Sequence, residues 1–259
     1  MSSCLAIDFN EMARTDAGAW AVLNNIYLPS AGKNFSFENH QYLEEPYHTQ
    51  APFIAILKGA QLGFSERSVI RAIHDCGYRL KSGLIYYFPT KVDVTDFSKA
   101  RFAPLISANP IMAGLVKDTD SANIKIINGR MLYLRGLRTS TAAKTAVADK
   151  IVFDELDEAP EAMVDLARKR LDHSEFQEIE ALSTPTIPDY GIHAFFLLTD
   201  QRHRQIYCQH CGKYTCLERD FPKCLAEKRD GTVHKICVKC ERDLDLSHPR
   251  NEYVADFPG

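Results

Sequence analysis

Phe53-Ile54-Ala55-Ile56-Leu57-Lys58-Gly59-Ala60-Gln61-Leu62-Gly63-Phe64-Ser65-Glu66 is the stretch that decides the fold. Its first five residues are apolar and are followed by a turn, which reads as a buried strand. The glycine-containing turn Lys58–Phe64 comes next. Ser65–Cys76 then reads as a helix, with Val69, Ile70 and Ile73 on its apolar face and Gly77 as its stop. A strand, a glycine turn and a helix N-terminus in succession gather backbone N–H groups and the positive end of the helix dipole at one point, and that is an anion site. By the strict phosphate-loop pattern G-x4-G-K-[ST] the match fails. Aligned on Gly63-Phe64-Ser65, Phe64 stands at the lysine position and Lys58 at the first glycine. Lys58, at the mouth of the strand, can fold over the loop and supply the missing cation, while Ser65 can offer its hydroxyl to Mg²⁺. Lys58, Gly59, Ala60, Gln61, Leu62, Gly63, Phe64, Ser65 and Glu66 are therefore the candidate ATP-binding segment. A plain turn without a ligand is the alternative when this segment is taken alone.

Ile151-Val152-Phe153-Asp154-Glu155 is the complementary stretch. An apolar strand that ends in two carboxylates is a Walker B pattern, and the carboxyl ends of strands are where α/β sheets bind ligands. Asp154 is placed to hold the Mg²⁺ shell and Glu155 to polarise the attacking water as general base. The competing reading is a solvated acidic loop, Asp154-Glu155-Leu156-Asp157-Glu158. Ser183-Thr184, after the strand Ile179–Leu182, is a hydroxyl pair that can sense a γ-phosphate, or a simple turn before Pro185. Together the two main motifs point to nucleotide hydrolysis.

The rest of the chain supplies the scaffold. The first 50 residues read as irregular and aromatic-rich. Gly83–Phe88 reads as a strand, the polar stretch to about Arg101 as a helix, and Ile124–Ile127 with Met131–Leu134 as a hairpin around Asn128-Gly129. Lys150–Phe153 reads as a strand and Pro160–Leu171 as a helix, while Ile192–Leu198 is ambiguous. Strands alternating with helices predict an α/β fold with a mostly parallel sheet covered on both faces, and with the two motifs above the expected fold class is a P-loop NTPase, RecA/ASCE-like. The 259 residues carry 31 basic and 34 acidic side chains, a net charge of −3, which excludes a strongly basic binder but not a local basic groove. No apolar run approaches the roughly 18 residues of a membrane span, and the start of the chain lacks a signal-peptide pattern, so an intracellular protein without a membrane partner is expected.

Six of the eight cysteines fall between Cys208 and Cys240; Cys4 and Cys76 stand apart. Such clustering without a secretory signal favours metal over disulfides. Cys208-x2-Cys211 and Cys237-x2-Cys240 can offer four thiolates to one tetrahedral Zn²⁺, with Gly212 suiting a knuckle turn. A closed four-cysteine site has no open position, so it reads as a fold staple. Cys216, Cys224, His210 and His234 read as spares that pack or sit exposed. The expected organisation is an irregular segment over 1–50 on the adenine side, an ATPase core over 51–204, a zinc-ribbon-like module over 205–245, and a tail or the start of a missing nuclease domain over 246–259.

The loop KGAQLGFSE, with lysine ahead of the first glycine and an aromatic at the usual lysine position, resembles that of the lambda-type large terminase subunits, ATPase–nuclease motors of viral DNA packaging. VFDELDEAP resembles their Walker B segment, ALSTPT their coupling motif, and TDQRHRQIYCQHCGKY their passage into a zinc segment, with Gln209 where the usual proline stands. The resemblance covers about residues 35–245. It implies Lys58 and Gly63 on phosphate, Ser65 and Asp154 on Mg²⁺, Glu155 as the catalytic carboxylate and Ser183-Thr184 in coupling. It further implies adenine stacking by upstream aromatics, Phe37 and Tyr42, and an arginine finger, Arg135 or Arg138. It implies ATP, Mg²⁺ and Zn²⁺ as cofactors. The implied partners are double-stranded DNA, the terminase small subunit, the portal protein and further copies of the chain, in the host cytoplasm of a virus or prophage. Arg168-Lys169-Arg170, Arg202 and Arg204 are candidate DNA contacts, to phosphates above all. Two alternatives stand beside this reading: a helicase-like ATPase, which would need a second RecA-like domain, and a non-catalytic zinc-ribbon adaptor on a degenerate nucleotide fold. Because the family carries a nuclease after its zinc segment and only 19 residues follow Cys240 here, a shortened motor with ATPase activity and no DNA cleavage is expected.

Overall fold

The computed structural model describes residues 9–144 and 146–258. It divides into two compact units: residues up to Ser36 with Pro46–Leu197, and Phe37–Glu45 with Leu198 onward. Cys4 lies outside the described residues.

The first unit is built on a seven-stranded sheet. Its elements are Phe53–Leu57 (β1), Phe64–His74 (α1), Gly83–Phe88 (β2), Lys91–Phe97 (α2), Val116–Ser121 (β3), Ile124–Ile127 (β4), Arg130–Gly136 (β5), Lys150–Asp154 (β6), Glu161–Arg168 (α3), Glu178–Ser183 (β7) and Gly191–Phe196 (α4). The spatial order is β1-β7-β6-β2-β5-β4-β3. β1, β7, β6, β2 and β5 run parallel; β4 and β3 add an antiparallel edge. β7 thus lies between β1, which leads into the phosphate-loop segment, and β6, which carries Asp154. β2, β6 and β7 are buried along their whole length, as parallel strands covered on both faces must be.

Successive residues still point to opposite faces. Ile85, Tyr87, Ile151, Phe153, Ile179 and Ala181 join Val164, Ala167, Leu171 and Ile192 in one apolar cluster. The alternate residues Lys150, Asp154 and Glu180 face α1. There the Glu180 carboxylate accepts from Arg67 Nη1 at 2.7 Å and from the Ser68 hydroxyl. Lys150 Nζ donates to Glu180 Oε2 at 3.2 Å and to Asp75 Oδ2 at 2.9 Å. Burial opposes the ionised form of Glu180, but Arg67, Lys150, Arg71 and the Ser68 hydroxyl outweigh it and hold the carboxyl well below its ordinary range.

Several readings of the sequence need correction. From residue 9 onward the first 50 residues are not simply irregular: Phe9–Thr15 and Ala17–Leu23 are helices, the second capped by Asp16, which accepts from the Ala19 amide at 2.6 Å. Trp20 is buried and its ring lies 5.6 Å from that of His74 on α1. Helices of seven residues are too short for a periodic pattern to stand out. α1 begins at Phe64 and passes after His74 into a wide π-helical turn, Asp75–Arg79. The ambiguous stretch is largely helix, α4. The hairpin stands where expected, with Asn128 and Gly129 both at positive φ.

The second unit contains a three-stranded antiparallel sheet in which Arg202–Tyr207 (β8) is central, flanked by Tyr214–Cys216 (β9) and Glu252–Ala255 (β10). A boundary at 204/205 would cut β8. Nor is 246–259 a plain tail, since β10 pairs with β8 from Arg202↔Ala255 to Gln205↔Glu252. Phe37–Glu45 joins this unit through Tyr253, whose hydroxyl donates to the Tyr42 carbonyl at 2.9 Å, and through the Arg202–Glu45 ion pair. Among the described residues no helix is long and apolar enough to cross a membrane.

Candidate active site and metal centre

The parallel topology brings the ends of β1, β6 and β7 and the start of α1 together. Gly59–Gly63 is an exposed loop. Gln61 (φ 60°) and Gly63 (φ 79°) are both left-handed, and Gly63 is the N-cap of α1. A side chain at Gly63 would be strained. Lys58, only 8% exposed, turns back toward β6. Its Nζ lies 2.5 Å from Glu155 Oε1 and 3.8 Å from Asp154 Oδ1. Ser65, in the first turn of α1, donates to Asp154 Oδ1 at 3.3 Å, and the Tyr86 hydroxyl donates to Asp154 Oδ2 at 2.9 Å. Lys58, Ser65, Asp154 and Glu155 thus form one cluster.

Its electrostatics follow from burial. Asp154 is 3% exposed. Loss of solvent pushes its carboxyl up to about 6, against the opposing pull of Lys58, Tyr86 and Ser65 and with a push from Glu155. Glu155 is more open, its side chain 40% exposed, and has φ 54° and ψ 52°, a conformation uncommon for a non-glycine residue.

The structure separates the remaining candidates. Phe64 is 7% exposed and belongs to the core, so an aromatic at the usual lysine position is a packing residue there. Glu66 turns away from the cluster, to Arg101 Nη1 at 3.2 Å and the Ser30 hydroxyl at 3.2 Å. Arg135 Nη1 donates to the carbonyls of Asn123 and Leu134 at 2.9 and 3.1 Å, and its guanidinium lies over the Tyr133 ring. Arg138, in the turn after β5, is exposed. Phe37 and Tyr42 belong to the second unit, not to the body that carries the phosphate-loop segment. The candidate DNA contacts Arg168 and Arg204 lie over Phe195 and Tyr253, and Arg202 pairs with Glu45 and Asp200.

Two residues were not legible as part of this region. Asp157 looked like solvated charge. Its amide donates to the Ser183 hydroxyl at 3.3 Å, and its carboxylate accepts from the Thr186 amide and hydroxyl, each at 2.8 Å, and from the Ile192 amide at 2.7 Å. It therefore ties the turn after β6 to the segment after β7. Tyr86 carried a usable signal: a phenol in a wholly buried strand needs a partner for its hydroxyl, and that partner is Asp154.

In the second unit the sulfurs of Cys208, Cys211, Cys237 and Cys240 lie within 4.8 Å of one another. Cys208–Cys240 and Cys211–Cys237 are each 3.6 Å apart. A tetrahedron with metal–sulfur bonds of about 2.3 Å has an edge of about 3.8 Å, so the donor set fits one such ion. The two pairs are built alike. Gly212 N donates to Cys208 O at 2.9 Å and Glu241 N to Cys237 O at 2.8 Å, with Gly212 and Glu241 both at positive φ. Burial works against the Cys237 thiolate, but the amides of Lys239 and Cys240 prevail and lower it to about 6. The Arg242 amide favours the Cys240 thiolate, yet burial and the three neighbouring sulfurs push it up to about 12. Four adjacent thiols cannot all ionise without a cation among them. Cys216 and Cys224 are buried apart from the cluster, and His210 and His234 contact Arg242 and Asp243.

One solved structure supports the fold. The large terminase of bacteriophage HK97 is similar with a TM-score of 0.56 at 11% identity, over 69% of this chain and 40% of that one. The ATPase domain of the Thermus phage P74-26 large terminase aligns with a TM-score of 0.45 at 15% identity, over 59% of this chain and 66% of that one. The chain thus spans well under half the length of the HK97 protein. No curated protein matches it in sequence. The family model described as phage terminase large subunit gpA, ATPase domain, matches residues 41–253, and the chain accordingly belongs to that family.

Proposed function

We propose that this chain is the ATP-hydrolysing motor portion of a DNA-packaging terminase large subunit. The observation that carries the reading is the convergence of Lys58, Ser65, Asp154 and Glu155 beside an exposed glycine loop at the N-terminus of α1. The amides of that loop and of the first turn of α1 would receive the phosphates. Lys58 is the cation in place of the usual loop lysine. Without nucleotide it neutralises Glu155, and a triphosphate competes for the same Nζ. Drawing Lys58 toward the phosphates would release Glu155 to hydrogen-bond the attacking water and accept its proton. Ser65 and Asp154 would hold Mg²⁺, which when bound would offset phosphate charge. Tyr86 fixes one oxygen of Asp154 and leaves the other toward Ser65. Ser183, bonded to the Asp157 amide, would pass the state of the β6 end to the Thr184–Ile192 segment. Arg138, exposed after β5, suits a finger that reaches a neighbouring copy better than Arg135, which is held by carbonyls.

The four-cysteine cluster would hold Zn²⁺ as a structural ion. Double-stranded DNA, a small subunit, a portal and further copies of the chain are the partners of such a motor, and the host cytoplasm its location. DNA-stimulated ATP hydrolysis, measured across chain concentration, tests this. The rate per chain should rise with concentration, and Arg138→Ala should lose that rise while Arg135→Ala keeps it. A wild-type chain that neither binds nor hydrolyses ATP with DNA present would refute the reading.

A further inference from the structure

His203, Cys216 and Glu218 bring a ring nitrogen, a thiol and a carboxylate oxygen within 4.8 Å of one another, apart from the four-cysteine cluster. The sheet register produces this grouping. β8 and β9 pair with Gln205 opposite Cys216, so His203 lies two residues along the same face of β8. Glu218 follows Cys216 in the turn after β9, which brings its carboxylate back to His203. His203 Nδ1 meets Glu218 Oε1, and Cys216 Sγ lies 3.6 Å from that same oxygen. The second ring nitrogen, Nε2, lies 3.7 Å from Asp256 Oδ2. Asp256 is in turn gripped by the Arg219 guanidinium through both carboxylate oxygens. Cys216 is 5% exposed and the His203 side chain 15%, whereas the Glu218 side chain is 60% exposed. The sulfur and nitrogen are recessed and the carboxylate forms an open lip.

We propose that His203, Cys216 and Glu218 form a second zinc site in this unit, with Asp256 orienting His203 and the fourth position open. The chemistry is specific. A metal-binding imidazole commonly donates its other N–H to a carboxylate, which fixes the tautomer and the ring orientation; Asp256 Oδ2, 3.7 Å from Nε2, is the nearby carboxylate that would close to that contact. One thiolate, one imidazole and one carboxylate suit zinc among the common divalent ions. Three protein ligands leave a position for water or another small donor, in contrast to the closed cysteine site. The ion would join β8 to the turn after β9, and through Asp256 to the end of β10.

The test is zinc stoichiometry on the untagged chain, stripped with chelator under reducing conditions and reconstituted with Zn²⁺ alone. Wild type should bind two equivalents; His203→Ala and Glu218→Ala should each bind one. Co²⁺ loading gives a second readout, since the visible absorption of the second equivalent should disappear in both variants while that of the four-sulfur site stays. Glu218 is largely exposed, so its variant keeps the test valid if His203→Ala does not fold. One equivalent in the wild type, or two in both variants, would overturn the proposal.

Discussion

On one face of the central sheet Ile85, Tyr87, Ile151, Phe153 and Ala181 meet α3 and its neighbours through apolar contacts; on the other, Glu180 meets Arg67 of α1, and Lys150 meets Glu180 and Asp75 of the π-helical turn that follows α1. Both layers are buried, but they do different things. Apolar contact is non-directional and tolerates small shifts. A buried ion cluster carries a desolvation penalty and holds only in good geometry. The charged layer joins α1, β6 and β7, the elements that bear Ser65, Asp154 and Ser183. In our account the apolar face holds the body together, and the charged face fixes how α1 registers on the two strands that carry the proposed catalytic carboxylates and coupling hydroxyl.

The largest expected effect lies on the charged face. Glu180→Ala would leave Arg67 buried without its carboxylate and should cost about 3–5 kcal/mol, measured by denaturant unfolding. Phe153→Ala on the apolar face should cost a comparable 3–5 kcal/mol or so. The two should part in nucleotide affinity of the folded fraction, which falls for Glu180→Ala and stays for Phe153→Ala. Equal affinities in both would remove the distinction between the faces.

A pH series sharpens it further. Burial disfavours ionised Asp75 as it does Glu180, but Lys150, the His74 hydrogen bond and the nearby arginines hold Asp75 well below its ordinary range. With folded values depressed, the stability these groups contribute is present above their unfolded values of about 4 and is lost as pH falls below them. Melting temperature should therefore drop as pH falls below about 4–5, and less steeply in Glu180→Gln. Smaller still, Gly63→Ala forces a side chain into φ 79° at about 1–2 kcal/mol, with weaker ATP binding by calorimetry. Ile151→Val should cost only about 0.5–1.5 kcal/mol and leave binding unchanged.

The same comparison explains what the sequence could tell. The strands and the clustered site residues were legible, because apolar runs that end in Lys58, Asp154-Glu155 and Ser183 mark strand ends without any knowledge of packing. The four cysteines were legible from spacing alone. The charged layer was not: Glu180 lies inside an otherwise apolar strand, and its partners Arg67, Ser68 and Lys150 lie far away in sequence. Asp157 was hidden for the same reason, since its partners at Thr186 and Ile192 come after another strand. The N-terminal helices were missed because each spans only two turns and is held by packing on α1 rather than by its own pattern.

The most direct measurement compares ATP hydrolysis and ATP binding of the wild-type chain, with DNA, against Glu155→Gln and Lys58→Ala. The account predicts that Glu155→Gln still binds ATP but loses hydrolysis by about 10²–10⁴-fold, and that Lys58→Ala loses binding and hydrolysis together. Hydrolysis that persists at the wild-type rate in both variants would contradict it.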